Sequence, residues 1–64
     1  MSIEIDDEIL KQLEEIRLSG ETNMFDFHTV HRLAYDRKYY DLVIWMDNNK
    51  EKYWKGIRKG FKPI

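Results

Sequence analysis

The chain has 64 residues, 36% of them charged, a net charge of −1 at pH 7 and no cysteine. A chain of this length forms one domain, residues 1–64, and nothing in it indicates an oxidising compartment. The acidic residues near its start are unlike a secretory signal, and no apolar run approaches the roughly 18 residues of a membrane span. We therefore expect a cytoplasmic protein that does not contact membranes.

The small size of the chain also predicts self-association. A domain of about 60 residues buries only about 60% of its unfolded surface, and this sequence has no disulfide or metal motif to add stability. Contacts between copies are a common way to bury more apolar surface. We expect a homodimer or a larger homo-oligomer.

Charge is distributed unevenly along the chain. Residues 1–26 contain eight acidic and two basic side chains, whereas residues 48–64 contain one acidic and six basic side chains. This asymmetry fits chain ends that pack together, charges that match the helix dipoles at the two termini, or a basic tail that meets an anionic partner.

The first predicted helix begins at Asp6 or Asp7, because either carboxylate can cap a helix N-terminus. Its apolar residues fall on one face, at positions 9, 10, 13 and 16. Gly20 ends it, since glycine readily adopts a left-handed conformation. After a short loop, Asp26 caps a second helix that buries positions 27, 30, 33 and 34 and ends near residue 36 or 37.

The second half of the chain predicts one or two further helices. A third helix begins around Tyr39 and buries positions 39, 42, 43 and 46. The asparagines at 48 and 49 either break this helix or cap a new segment, whose apolar face continues through Tyr53, Ile57 and Phe61 before Gly60 and Pro63 end it. We predict an all-α fold, a small antiparallel bundle of three to four helices.

The sequence lacks the residue patterns of catalysis. It has no cysteine nucleophile or Ser/His/Asp arrangement, and its glycines, at positions 20, 56 and 60, are too scattered to cradle a phosphate. A bundle of this size also has little room for a water-excluding pocket. We expect a protein that binds a partner, with no enzymatic activity and no cofactor.

The predicted outward face of the second helix carries residues that suit recognition. His28, His31, Arg32 and Tyr35 are spaced i, i+3, i+4 and i+7, and together they offer hydrogen-bond donors and stacking planes. The alternative is an ordinary solvated polar face. We expect no metal, because two histidines alone do not complete a zinc site.

The third helix is apolar around most of its circumference, which predicts cover on more than one side. Ile44 and Trp45 point outside the arc that faces the core, and Tyr40 precedes them by one turn. We interpret Tyr40, Ile44 and Trp45 as an interface between copies, since aromatic side chains are common at interfaces. The alternative is that the last helix folds back over Trp45.

The basic tail combines Trp54 with six basic residues: Lys50, Lys52, Lys55, Arg58, Lys59 and Lys62. Of these, we predict Lys55, Arg58 and Lys59 as binding residues together with Trp54. Such a pattern can bind single-stranded nucleic acid or a nucleotide, or it can be lysine stems lying beside a packed tryptophan. A helix-turn-helix interpretation is poorly supported, because the would-be recognition helix lacks residues that contact base edges. Nucleic acid is therefore a possible partner that the sequence does not favour.

One string of residues carries a resemblance to a known family. Residues 20–26 read GETNMFD, followed by Val30, RLAYD at 32–36 and Leu42-Val43. Over residues 8–46 the chain resembles an uncharacterised family of short proteins from phages and prophages of Gram-positive bacteria, in which Gly stands at the position of Lys38. The resemblance implies a site of action in the cytoplasm of a host bacterium, and a role in which binding blocks a host or antiviral-defence factor.

Three functions are thus expected in order of preference. The first is a homo-oligomeric, phage-derived helical protein that inhibits a host or defence protein by binding it. The second is a nucleic-acid-binding regulator that uses the basic tail and the second helix, and the third is a sponge that sequesters a signalling nucleotide.

Overall fold

The computed structural model describes residues 2–64. Four helices follow one another, each joined to the next by a short connection: α1 (Asp7–Ser19), α2 (Phe27–Asp36), α3 (Tyr40–Asn48) and α4 (Lys50–Lys59). A short strand precedes them, β1 (Ile3–Ile5), and another follows them, β2 (Phe61–Pro63). The prediction of a mostly helical domain is confirmed, whereas the all-α class omits the two strands. The antiparallel arrangement of the helices stays a prediction.

The two strands form a parallel pair in which Ile3, Glu4 and Ile5 lie opposite Phe61, Lys62 and Pro63. The last helical face was expected to continue to Phe61, and this is wrong. Gly60 has φ 99° and ψ 158°, a conformation that is essentially restricted to glycine, and it turns the chain out of α4 into β2. The acidic and basic ends of the chain therefore lie side by side, with Glu4 paired in register with Lys62.

The helix boundaries follow from local capping. Asp6 caps α1 by accepting a hydrogen bond from the backbone N–H of Glu8 at 2.9 Å, and Gly20 ends the helix in the left-handed conformation at φ 69°. Asp26 caps α2 by accepting from the backbone N–H of Thr29 at 3.2 Å. These caps confirm the boundaries that the sequence indicated.

Two tight connections join the last three helices. Between α2 and α3 the chain turns at Lys38, whose φ of 64° lies in the left-handed region. Between α3 and α4 the helix breaks at Asn49, which was one of the two alternatives that the sequence left open. Asn49 does not cap α4 with its side chain; its amide Nδ2 donates instead to the carbonyl of Trp45 at 2.9 Å.

All four helices contribute to one apolar core. Tyr53 is fully buried within it, and its hydroxyl donates to the backbone carbonyl of Met24, which ties α4 to the loop before α2. Burial raises the pKa of Tyr53 to about 12, and the negative charge of Asp26 acts in the same direction. The core residues match the apolar positions that the sequence predicted: Leu13, Ile16, Phe27, Val30, Ala34, Leu42, Met46 and Tyr53.

Ile5 of β1 is also buried, with 1% of its surface exposed. The strand pair thus adds apolar contact to the helical layer as well as hydrogen bonds. Within residues 2–64, no helix has the length and apolar character needed to cross a bilayer.

Candidate binding surfaces

A concave surface that bears aromatic and charged groups lies where the start of α2 meets the first turns of α4. Six residues line a cleft of about 290 Å³: Phe25, Asp26, Phe27, His28, Lys50 and Trp54. We call it the aromatic cleft. The cap at Asp26 fixes the start of α2, and the buried Tyr53 next to Trp54 fixes the facing part of α4.

Two rings of the aromatic cleft remain open to solvent. Phe25 is 55% exposed and Trp54 is 36% exposed, and their rings are nearly parallel, with centroids 6.5 Å apart and an interplanar angle of 16°. Phe27 lies beneath them with 8% of its surface exposed, and its ring centroid is 6.1 Å from that of Trp54. The cleft therefore has an apolar floor and flat, accessible aromatic faces.

Charged groups of both signs complete the aromatic cleft. The Lys50 ammonium lies 5.7 Å from the centroid of the Phe27 ring, a cation–π distance. Asp26 is held by Thr29, whose hydroxyl donates to one carboxylate oxygen at 2.7 Å and whose N–H donates to the other. The hydrogen bond from the Thr29 hydroxyl has the larger effect and that from the N–H the smaller, and both lower the pKa of Asp26. The carboxylate is therefore ionised at neutral pH.

The basic residues of the predicted tail lie on α4, except Lys62 in β2, and they do not form one surface. Lys50, Trp54 and Arg58 are spaced i, i+4 and i+8, which places them along one face of the helix, and the Arg58 Nε donates to the Trp54 carbonyl at 3.4 Å. Lys55 and Lys59 are exposed but lie outside this stripe. Lys59 is nine residues from Lys50, about 180° around the helix.

The predicted outward face of α2 is only partly outward. His28, Arg32 and Tyr35 are exposed, whereas His31 is half-buried. The Nε2 of His31 lies 2.9 Å from an Asp47 carboxylate oxygen, and its ring stacks on Phe27 at a centroid distance of 6.1 Å. His31 therefore links α2 to α3, and the other three residues are the part of this face that a partner can reach.

The three residues predicted as an interface between copies also differ in exposure. Tyr40 is 49% exposed and Ile44 is 58% exposed, and the Tyr40 ring lies 5.7 Å from that of Tyr35, itself 59% exposed. We call Tyr35, Tyr40 and Ile44 the apolar patch. Trp45 is half-buried and packs edge-to-face against Phe61 at a centroid distance of 5.9 Å. Trp45 is therefore covered by a residue of β2, whereas the alternative interpretation expected the last helix to cover it.

The comparison with known protein families gives one result. The model of a family described as a domain of unknown function, DUF5049, matches residues 5–60. The chain belongs to this family. No curated protein and no solved structure matches the chain.

The DUF5049 match extends over both surfaces, since the aromatic cleft and the apolar patch lie between residues 25 and 54. It also includes the whole of the region, residues 8–46, over which the sequence resembles an uncharacterised family. The family description assigns no activity or ligand to any residue, so chemistry has to be argued from the geometry. Within residues 2–64 there is no group of three His, Cys, Asp or Glu side chains that could hold a metal ion.

Two residues of the aromatic cleft were not predicted to bind a ligand: Phe25, and Asp26, which was assigned to the cap of α2. Lys50 was assigned to the basic tail together with Trp54, which it precedes by four residues, so the two share a helix face. No local signal joins Phe25 to Trp54, because they are 29 residues apart and meet only through tertiary packing.

Proposed function

We propose that this protein is a small, phage-derived helical binding protein that associates with itself and inhibits a host or antiviral-defence protein by binding it. The apolar patch is the observation that carries the proposal. The phage origin and the kind of target are supported by the sequence resemblance to short phage proteins.

The apolar patch has the composition of a protein–protein interface. It places two tyrosines and an isoleucine side by side, each about half-exposed, and Arg32 lies one turn before Tyr35 on the exposed side of α2. Tyr and Arg are among the residues that most often dominate binding energy, because they provide a large contact area together with hydrogen bonds. A partner that covers the patch removes this apolar surface from water.

Within the patch, Tyr40 and Ile44 are assigned to self-association. Tyr35, together with the neighbouring Arg32, is assigned to the target. Tyr40 and Ile44 lie one turn apart on the same face of α3, so a second copy can pack along that helix. Arg32 offers a planar fork of donors to a carboxylate on the target.

The self-association is tested by light scattering at tens of micromolar. The wild-type protein is expected to have a mass above the 7.9 kDa of one chain, and Ile44→Lys is expected to lower it to that of a monomer. Leu18→Lys is the matched control, because Leu18 is an aliphatic residue of α1 that is 72% exposed. A monomeric wild type, or equal loss of mass in both variants, contradicts the assignment.

The target is sought by affinity capture from lysate of a host bacterium, with mass spectrometry of the captured proteins and small molecules. A protein that the wild type retains should be lost with the double variant Arg32→Ala, Tyr35→Ala and kept with Lys59→Ala. Substitutions at such exposed positions usually change stability by no more than about 0.5 kcal/mol each, so the variants stay folded. Capture of nucleotides without any protein would favour the sponge function instead.

A further inference from the structure

We infer that the aromatic cleft binds a nucleobase that carries a phosphate, either as a free nucleotide or as one unit of a single-stranded nucleic acid. This site lies at the opposite end of α2 from the apolar patch, since His28 and Tyr35 are seven residues, or about 10 Å, apart along the helix. The inference does not depend on the proposed protein target.

The open aromatic faces are the first support. Phe25 and Trp54 are stacked on each other yet remain 55% and 36% exposed, while the buried Phe27 and Tyr53 hold Trp54 from below. The exposed rings are therefore fixed in orientation before any ligand arrives. A nucleobase that stacks on such a face gains affinity whichever base it is, because every base has a π-face.

The positive charges near Trp54 favour a base that carries a phosphate group. Lys50 and Arg58 lie one helical turn before and one turn after Trp54 on the same face of α4. A base bound at Trp54 thus has a cationic side chain on either side for its own phosphate or for those of neighbouring nucleotides. His28 adds a further donor at the rim of the cleft.

Asp26 makes the site selective for a base over a bare anion. Its ionised carboxylate lies in the same cleft as the Lys50 ammonium and offsets that charge, so phosphate alone gains little. Each carboxylate oxygen accepts one hydrogen bond from Thr29 and has capacity to accept a second. The amino or ring N–H groups of a base can supply that second hydrogen bond.

The size of the aromatic cleft fits one ring system. Its volume of about 290 Å³ is at the lower end of small-molecule pockets, which run from about 300 to 1,000 Å³. The base occupies the cleft, and the sugar and phosphate lie outside it along the Lys50–Arg58 face. A ligand with a single base is accommodated as well as a longer strand.

The first experiment titrates the whole chain with AMP by calorimetry, and with a fluorescein-labelled single-stranded DNA of ten nucleotides by anisotropy, at 50 mM salt. Ribose 5-phosphate and inorganic phosphate test the anion alone. We expect AMP, the oligonucleotide or both to bind: AMP alone identifies a free nucleotide, and the oligonucleotide alone identifies a strand. Absence of binding for both, or equal binding of ribose 5-phosphate and AMP, overturns the inference.

The second experiment removes the stacking faces. Trp54→Leu and Phe25→Leu keep apolar volume but lose the aromatic ring, and each is expected to raise the Kd of the ligand that binds by about 5-fold to 150-fold. Trp54→Phe should retain most of the affinity. Phe25 lies in an exposed loop, so its variant stays folded even if Trp54→Leu does not; unchanged affinity in folded Phe25→Leu overturns the inference.

The third experiment tests the charges with a matched pair of variants. Lys50→Gln and Lys59→Gln remove the same charge from opposite sides of α4. We expect Lys50→Gln to weaken binding and, for the oligonucleotide, to reduce the salt slope by about 0.7 between 50 and 200 mM salt, whereas Lys59→Gln leaves both nearly unchanged. Equal effects of the two variants indicate a diffuse attraction to α4 and overturn the inference.

Discussion

Trp45 and Trp54 lie nine residues apart on consecutive helices and have opposite surroundings. Trp45 is half-buried because Phe61, which lies at the far end of the chain, packs against its ring. Trp54 has no such cover, and its neighbours Phe25 and Phe27 leave it open to solvent. We call these the covered cluster (Trp45, Phe61) and the open cluster (Phe25, Phe27, Trp54).

The difference between the two clusters shows which side of the helical layer this short chain covers with apolar residues and which side it leaves exposed. The strand pair closes one side of the helical layer with Ile5 and Phe61. Among residues 2–64, no comparable segment closes the side that bears Trp54. Apolar surface that a chain leaves open beside charged groups is available for a ligand. The covered cluster therefore serves stability, and the open cluster is the better candidate for binding.

The largest expected effect comes from removing the same ring in each cluster. Phe61→Ala should lower the free energy of unfolding by about 3 kcal/mol, because it uncovers Trp45 and leaves a cavity. Phe25→Ala should cost less than about 1 kcal/mol, since Phe25 is already 55% exposed. Chemical denaturation followed by circular dichroism measures both, and equal costs would abolish the distinction between the clusters.

Alkaline pH should reduce the contribution of Tyr53, which packs against Trp54 of the open cluster, to the free energy of unfolding. The pKa of Tyr53 is raised to about 12, so the neutral phenol is favoured in the folded protein. Its contribution, at most about 2–3 kcal/mol, is fully present below pH 10 and is lost as pH rises from about 10 to about 12.

The matched variant for this pH dependence is Tyr53→Phe. At pH 7 it should be about 1 kcal/mol less stable than the wild type, because the Met24 carbonyl loses its donor. The gap should narrow and then reverse between pH 10 and 12 in urea denaturation. Parallel pH curves for the two proteins would show that Tyr53 does not titrate in this range.

A methyl group at Gly56 should disturb the covered cluster directly. Gly56 is buried, and a Cβ there would overlap the ring of Phe61, so Gly56→Ala should cost about 2 kcal/mol by overpacking. It should also shift the fluorescence of Trp45 to the red, which is read in a Trp54→Phe background. Gly20→Ala is the control, because its Cβ meets no neighbour and its cost of about 1 kcal/mol comes only from the left-handed backbone.

The smallest expected effect lies away from both clusters, in the α2–α3 turn. Lys38 has φ 64°, where glycine is favoured, so Lys38→Gly should raise the free energy of unfolding by about 0.5–1 kcal/mol. The emission of both tryptophans should not change. A loss of stability in this variant would mean that the Lys38 side chain contributes more than its backbone costs.

The helices were predictable because their signals are local. A cap such as Asp26 acts on residues two or three positions away, and an apolar face repeats every three or four residues. The strand pair was not predictable in this way, since each strand has three residues and its partner is more than 50 positions distant. Gly60 correctly marked the end of α4, but it did not show what the following residues would pair with.

The candidate surfaces were predicted in pieces. His28 and Trp54 were assigned to different surfaces, and packing of α2 on α4 joins them in one cleft. His31 was assigned to an outward face, although it is only about 40° from Phe27 around the helix at 100° per residue. That angle already indicated a boundary position, whereas its contact with Asp47 could come only from the tertiary structure.

The parallel strand pair has a mechanical consequence. The chain enters β1 at one end of the pair and leaves β2 at the opposite end. Hydrogen bonds join the strands at both ends, since the Ile3 N–H donates to the Gly60 carbonyl and the Ile64 N–H donates to the Ile5 carbonyl, each at 3.0 Å. Tension applied to both ends of the chain pulls the two strands past each other, so that it loads these hydrogen bonds together and does not open them one at a time. Resistance to such a pull is governed by the rate of unfolding. The strand pair must therefore break before the tension can unwind the four helices from the chain termini.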